Sequence, residues 1–135
     1  MNYIHKVNYY ETDKMGITHH SNYIRWMEEA RIYYLDNINC NYKKIEDLGI
    51  ISPVIGLECE YKSSTTFDDS VEIQVKLVEY KGVKFTFEYE MKNIKTNEIV
   101  LIGKTRHCFL DKSKKPIILK KSYPELDKKF KSILV

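Results

Sequence analysis

The chain has 135 residues, 43% hydrophobic and 30% charged, a balance that fits one globular domain and excludes a disordered or fibrous segment. Its three cysteines, Cys40, Cys59 and Cys108, are widely spaced and form no CxxC pair. That pattern excludes a disulfide framework or a zinc knuckle and points to a reducing compartment, the cytoplasm. The net charge of +3 is uneven: residues 112–135 hold eight lysines against Glu125 and Asp127, giving +6, and residues 1–111 sum to −3. The basic end is read as a solvated C-terminal extension (112–135) of a single domain (1–135), with no nucleic-acid partner. Uncharged stretches reach only about ten residues, so no stable membrane insertion is expected, and Met1 to Lys6 carries no apolar signal region.

Taken in chain order, residues 3–10 are rich in Tyr, Ile and Val and predict a strand. Thr12 to His19, punctuated by Gly16, predicts a turn. Ser21 and Asn22 are candidate helix N-caps. After them Tyr23, Met27, Ala30 and Tyr34 recur at helical spacing, widened by Ile24 and Trp26, and Asn37 and Asn39 can end the helix. Residues 40–53 are irregular, with a short helix around Tyr42–Leu48.

The period then changes to two. Leu57, Cys59 and Tyr61 alternate with polar residues, as do Val71, Ile73, Val75 and Leu77, then Val83, Phe85, Phe87, Tyr89 and Met91, with a last run from Ile99 to Leu110. Such alternation marks antiparallel strands with one wet face. Lys81-Gly82 and Lys95-Thr96-Asn97 are hairpin-length breaks. One helix beside five strands, the last four read as a meander, gives an α+β domain with the helix against one face of a five-stranded antiparallel sheet.

The chemistry concentrates in residues 9–31, YYETDKMGITHHSNYIRWMEEAR. A carboxylate, Asp13, stands seven residues before His20 at the start of a helix, whose free N–H groups can polarise a carbonyl. A base or nucleophile on one side and electrophilic help on the other are the minimum for acyl transfer. The residues alone leave open that Asp13 only closes an Asx-turn and that His19-His20 only caps the helix. Glu28 and Glu29 on the helix are further carboxylates, and Glu29 is read as paired with a basic residue. His5, His19 and His20 lack the spacing of a metal set, so neither metal nor cofactor is expected.

This segment resembles the signature of hotdog-fold thioesterases of the 4-hydroxybenzoyl-CoA thioesterase type, especially the acyl-CoA thioesterase branch associated with the Tol–Pal system. The resemblance rests on Tyr9, Thr12-Asp13, Gly16, His20, Asn22-Tyr23, Trp26 and Glu29-Ala30-Arg31, and on ECEYKSSTTFDDSVEIQV at residues 58–75. It implies a hotdog fold, a sheet wrapped around one long helix, and hydrolysis of an acyl-CoA or acyl-carrier-protein thioester. It implies Asp13 as nucleophile or general base, His20 through its backbone N–H and side chain, and Tyr9 as a strand tyrosine near the reaction. It implies a homodimer or homotetramer, and CoA phosphates met by Lys81 and Lys84 at the Gly82 turn. His19 departs from the branch, which commonly carries Tyr or Phe there, and Met15 stands where a small residue is usual. A non-catalytic acyl-CoA-binding module and a hotdog dehydratase are the competing readings. Asp13 favours the enzyme over the module, because an anion beside a neutral thioester gains nothing for simple binding.

Overall fold

The computed structural model describes residues 2–135. Strand β1 spans Tyr3–Lys6, helix α1 Ser21–Asn37, α2 Tyr42–Asp47, β2 Val54–Tyr61, β3 Ser70–Tyr80, β4 Lys84–Asn93, β5 Ile99–Cys108, α3 Leu119–Ser122 and α4 Pro124–Ile133. The sheet is antiparallel with strand order β1-β3-β4-β5-β2. Only β3, β4 and β5 form a meander, joined by links short enough for hairpins. The expected four-strand meander is therefore corrected. β2 does not neighbour β3, because the Lys62–Asp69 link is long enough to carry the chain to the opposite edge beside β5.

The chain divides into two compact units. The first contains residues 2–34, 59–75 and 89–103. Here the α1 stripe holds: Tyr23, Trp26, Met27 and Ala30 are all buried, while Ile24, expected to widen it, faces out. The helix meets β1 through Tyr3 on Tyr33 and His5 on Trp26, and β4 through the Arg31 guanidinium, 3.4 Å from the Tyr89 hydroxyl. β1 pairs with β3 in register His5 opposite Val71. It ends at Lys6, short of the expected strand over 3–10, because the chain turns into a 3-10 helix at Tyr9–Glu11.

The second unit contains residues 35–58, 76–88 and 104–135. Its core is aromatic: Phe85 stacks on Phe109 and His107, and Phe130 meets both phenylalanines edge-on. Phe130 belongs to α4, so the lysine-rich segment is folded as α3 and α4 with an apolar face inward and lysines outward. Asp127, buried on α4, accepts the Tyr80 hydroxyl and pairs with Lys131 at 3.1 Å. Those contacts, Tyr80 first, hold its carboxyl below the usual range. β2 departs from the expected alternation: Val54, Ile55 and Leu57 are all exposed, as an edge strand allows. Gly56 of β2 lies against the Arg106 guanidinium, which pairs with Glu58 at 3.0 Å.

Candidate active site

The site is built on the chain between β1 and α1, within the first unit. Asn8 precedes the 3-10 turn, and Glu11 ends it as a carboxylate only 5% exposed. Glu11 Oε1 accepts the Asn8 backbone N–H at 2.8 Å, the Asn8 amide at 3.2 Å and His5 Nε2 at 2.8 Å, while Oε2 accepts Trp26 Nε1–H at 2.8 Å. Burial pushes the Glu11 pKa up, but the donors from Asn8, His5 and Trp26 outweigh it and leave the carboxyl below its ordinary value. The Glu11 carbonyl accepts the His19 N–H at 2.8 Å and the Asn22 side-chain amide at 3.0 Å. One residue thus ties the turn to β1, to the body of α1 and to its first turn.

Two residues on, Asp13 meets different surroundings. Its Oδ1 accepts the Met15 N–H at 2.8 Å, its N–H donates to Ile17 O and its carbonyl accepts Gly16 N–H. Gly16 sits at φ +79°, a left-handed conformation that suits glycine. The Asx-turn that the residues alone allowed is present; it engages Oδ1 and leaves the side chain half-exposed. The loop closes through a Thr12–Thr18 bridge, and Thr18 is anchored on Thr65 by backbone and hydroxyl bonds of 2.8 and 2.6 Å.

Helix α1 begins at Ser21, so Ser21 and Asn22 lie in its first turn and not before it. The capping role falls to His19: its Nδ1 accepts the Ser21 N–H at 3.3 Å and its carbonyl accepts the Asn22 N–H at 3.0 Å. Beyond it Arg25 Nη1 donates to Asn22 Oδ1 at 3.2 Å.

Two open clefts flank this helix start. The larger, about 610 Å³, is lined by Asp13, His19, Asn22, Arg25 and Glu29, with Tyr10 and the Glu11–His5 pair on its walls. The smaller, about 320 Å³, is lined by Ile17, His20, Tyr23, Tyr61 and Ser63. The His19 and His20 rings lie tilted against each other at 4.3 Å between centroids, yet His19 lines the larger cleft and His20 the smaller. Glu29 accepts the Tyr3 hydroxyl at 2.9 Å and stands 3.6 Å from His5, the basic neighbour expected for it. Burial first, then Glu29, pushes the Tyr3 phenol up to about 12. Among the described residues no group of three His, Cys, Asp or Glu side chains is placed to hold a metal ion.

A half-free aspartate on a glycine turn, facing a cleft at the start of the long helix, sits in a chain whose residues 7–132 match the thioesterase-like superfamily. The chain belongs to that superfamily. Its five-stranded antiparallel sheet with one long helix is the superfamily's hotdog fold. Among relatives of this thioesterase-like chain, "Putative esterase" of Aquifex aeolicus is 38% identical over 112 residues, 83% of this chain and 86% of the relative. "Putative acyl-CoA thioesterase YneP" of Bacillus subtilis is 31% identical, covering 89% and 87%. The crystal structure of a DHNA-CoA thioesterase from Staphylococcus aureus superposes with a TM-score of 0.92 at 30% identity, covering 98% of this chain and 89% of that one.

The thioesterase-like chain brings some of the expected residues together and separates others. Asp13 and the helix start meet at the larger cleft, but the His20 ring lines the smaller one. Tyr9 is not a strand residue: it sits in the 3-10 turn, 76% exposed, edge-on to Phe67, and Tyr10 is the tyrosine bordering the Asp13 cleft. Lys81 and Lys84 belong to the second unit, where they bracket the β3–β4 turn at Gly82, and Lys81 lies 3.7 Å from Glu79. Sequence reasoning missed Glu11 with its partners His5 and Trp26, and it missed Arg25 and Tyr61. A signal for Glu11 was present in the Asn8-x-x-Glu11 spacing, which places a carboxylate three residues after a capping residue.

Proposed function

We propose that the protein is an acyl-CoA thioesterase, splitting an acyl thioester into a free acid and CoA, with Asp13 as nucleophile or general base. The observation that carries this reading is the Asp13 carboxylate: it forms no ion pair among the described residues, holds one hydrogen bond and opens on a cleft at the helix start. The names of the relatives support the substrate class. As nucleophile, a carboxylate oxygen of Asp13 adds to the thioester carbonyl carbon, the C–S bond breaks, the thiolate leaves, and water then cleaves the mixed anhydride. As base, Asp13 takes a proton from water while the water oxygen adds to the same carbon, and the C–S bond then breaks to release the thiolate and the free acid. In both routes negative charge builds on the acyl oxygen, and in this reading a backbone N–H at the helix start, that of His20, donates to it.

The enzyme acts as a homodimer or homotetramer in this reading. The exposed β2 edge, with Val54, Ile55 and Leu57 uncovered, is a surface that a second copy would cover. Light scattering should return twice or four times 16.1 kDa. A cytoplasmic location agrees with Cys40, Cys59 and Cys108 all being free thiols. The deciding experiment offers the protein a panel of short, long and aromatic acyl-CoA and acyl-carrier-protein thioesters and follows thiol release with a disulfide reagent. Release from at least one, lost in Asp13→Asn, is expected; no release from any overturns the reading.

A further inference from the structure

The two adjacent histidines divide between the clefts, and the one on the Asp13 cleft is His19. Its ring is exposed yet held. The Ser21 backbone N–H approaches Nδ1 at 3.3 Å, and a backbone N–H can only donate. Nδ1 is therefore the unprotonated nitrogen in this arrangement, with the Ser21 hydroxyl oxygen also 2.8 Å from it. A neutral imidazole carries one proton, so His19 carries it on Nε2. The backbone of the same residue is fixed through His19 N–H to the Glu11 carbonyl and through Asn22 N–H to the His19 carbonyl, and its ring rests on His20. The result is a pinned N–H donor in the cleft that also holds Asp13, a group that can only accept while ionised.

We propose that His19 Nε2–H donates a hydrogen bond to the acyl oxygen of the thioester bound in the Asp13 cleft, an assignment that rests on the thioester reading above. His19 keeps its proton throughout: the hydrogen bond shortens as the oxygen gains charge, and the bonds made and broken in acyl transfer are unchanged. A donor fixed before the reaction stabilises the charged oxygen more than the neutral carbonyl, so its contribution falls on kcat. It supplements the backbone N–H of the helix start with a side chain that substitution can remove.

The test uses two amides of different reach. H19N places a carbonyl near the Nδ1 position, where it can still accept the Ser21 N–H, and leaves the Nε2 position empty. H19Q carries an N–H to the Nε2 position and gives up the Ser21 contact. H19N is expected to lower kcat about 10- to 100-fold with little change in KM, and H19Q to keep most of it. A purely capping role gives the reverse order. H19N at wild-type kcat, or H19Q falling as far as H19N, overturns the assignment.

A second measurement needs no turnover. Nitrogen-15 histidine spectra at about pH 8, above the ordinary histidine range, should show His19 as the Nε2–H tautomer, its signal assigned by loss in H19N. The Nδ1–H tautomer overturns the assignment. A wild-type protein that releases no thiol from the whole panel overturns the reaction and leaves the tautomer to be read by itself. An active wild type with unaffected H19N overturns the donor alone.

Discussion

Glu11 and Asp13 stand two residues apart on one connection and meet opposite surroundings. Glu11 is buried and has donors on both carboxylate oxygens, while Asp13 is half-exposed and accepts the Met15 N–H on Oδ1. The difference suits them to different work. A carboxylate surrounded by donors is a joint: its charge is already neutralised by hydrogen bonds and it has little left to offer a substrate. A carboxylate held by a single turn contact keeps its position and most of its lone pairs. The buried one makes the exposed one usable, because it fixes the backbone from which Asp13 projects and the carbonyl on which His19 and Asn22 rest.

Exchanging the two losses gives the sharpest test of this division. Asp13→Asn keeps an oxygen for the Met15 N–H but removes the charge, so kcat should fall by more than about 100-fold while urea unfolding stays within about 0.5 kcal/mol of wild type. A variant retaining more than a tenth of the activity would place the chemistry elsewhere. Glu11→Ala should do the opposite. It strands the buried Trp26 indole N–H and the half-buried Asn8 N–H and should cost about 2–4 kcal/mol in urea unfolding. If that variant is as stable as wild type, Glu11 is no joint.

The pH dependence separates the same pair more finely. Glu11 titrates in the folded protein below its unfolded value of 4.5. A lowered folded pKa means stability that is complete above pH 4.5 and is lost as the pH falls below it toward the folded value. Wild type should therefore lose stability more steeply with acid below pH 4.5 than Glu11→Gln. Parallel acid profiles would contradict the assignment.

The smallest effect belongs to the other unit. Lys81→Ala with Lys84→Ala should raise KM for acyl-CoA by the equivalent of about 0.5–2 kcal/mol and leave kcat unchanged, a difference from wild type that shrinks as salt rises. An unchanged KM at low salt removes these lysines from the phosphate site.

Much of the fold was legible because periodicity is a direct record of burial. The stripe from Tyr23 to Ala30 and the alternation from Val71 to Leu77 and from Phe85 to Met91 follow which side of each element is dry. β2 misled for the same reason in reverse. Leu57, Cys59 and Tyr61 alternate like core residues, yet the strand lies at the sheet edge, and strand order depends on link length and long-range pairing that a local pattern does not record. In the candidate site, the sequence showed Asp13 shortly before a helix start, and a catalytic reading of it came from the family resemblance. The division of His19 and His20 between two clefts was not, since neighbours at a helix start point in different directions only once the turn before them is set. Glu11 was hidden because an acidic residue in a polar stretch looks solvated until Trp26 and His5 arrive from elsewhere in the chain.

Gly56 has a consequence for how this sequence can drift. A methyl group there would come within 2.8 Å of the Arg106 side chain, which is long, half-exposed and able to swing aside. The obstacle to a larger residue at position 56 is thus a movable neighbour, and the toll falls on the Arg106–Glu58 pair that the swing would break. Gly56→Ala should be mild alone and nearly silent once Arg106 is already shortened, a suppressor relationship in which the second change hides the first. Positions 56, 58 and 106 should accordingly vary as a set among descendants of this chain, while Gly16, constrained by its own backbone and not by a neighbour, has no partner whose change could release it.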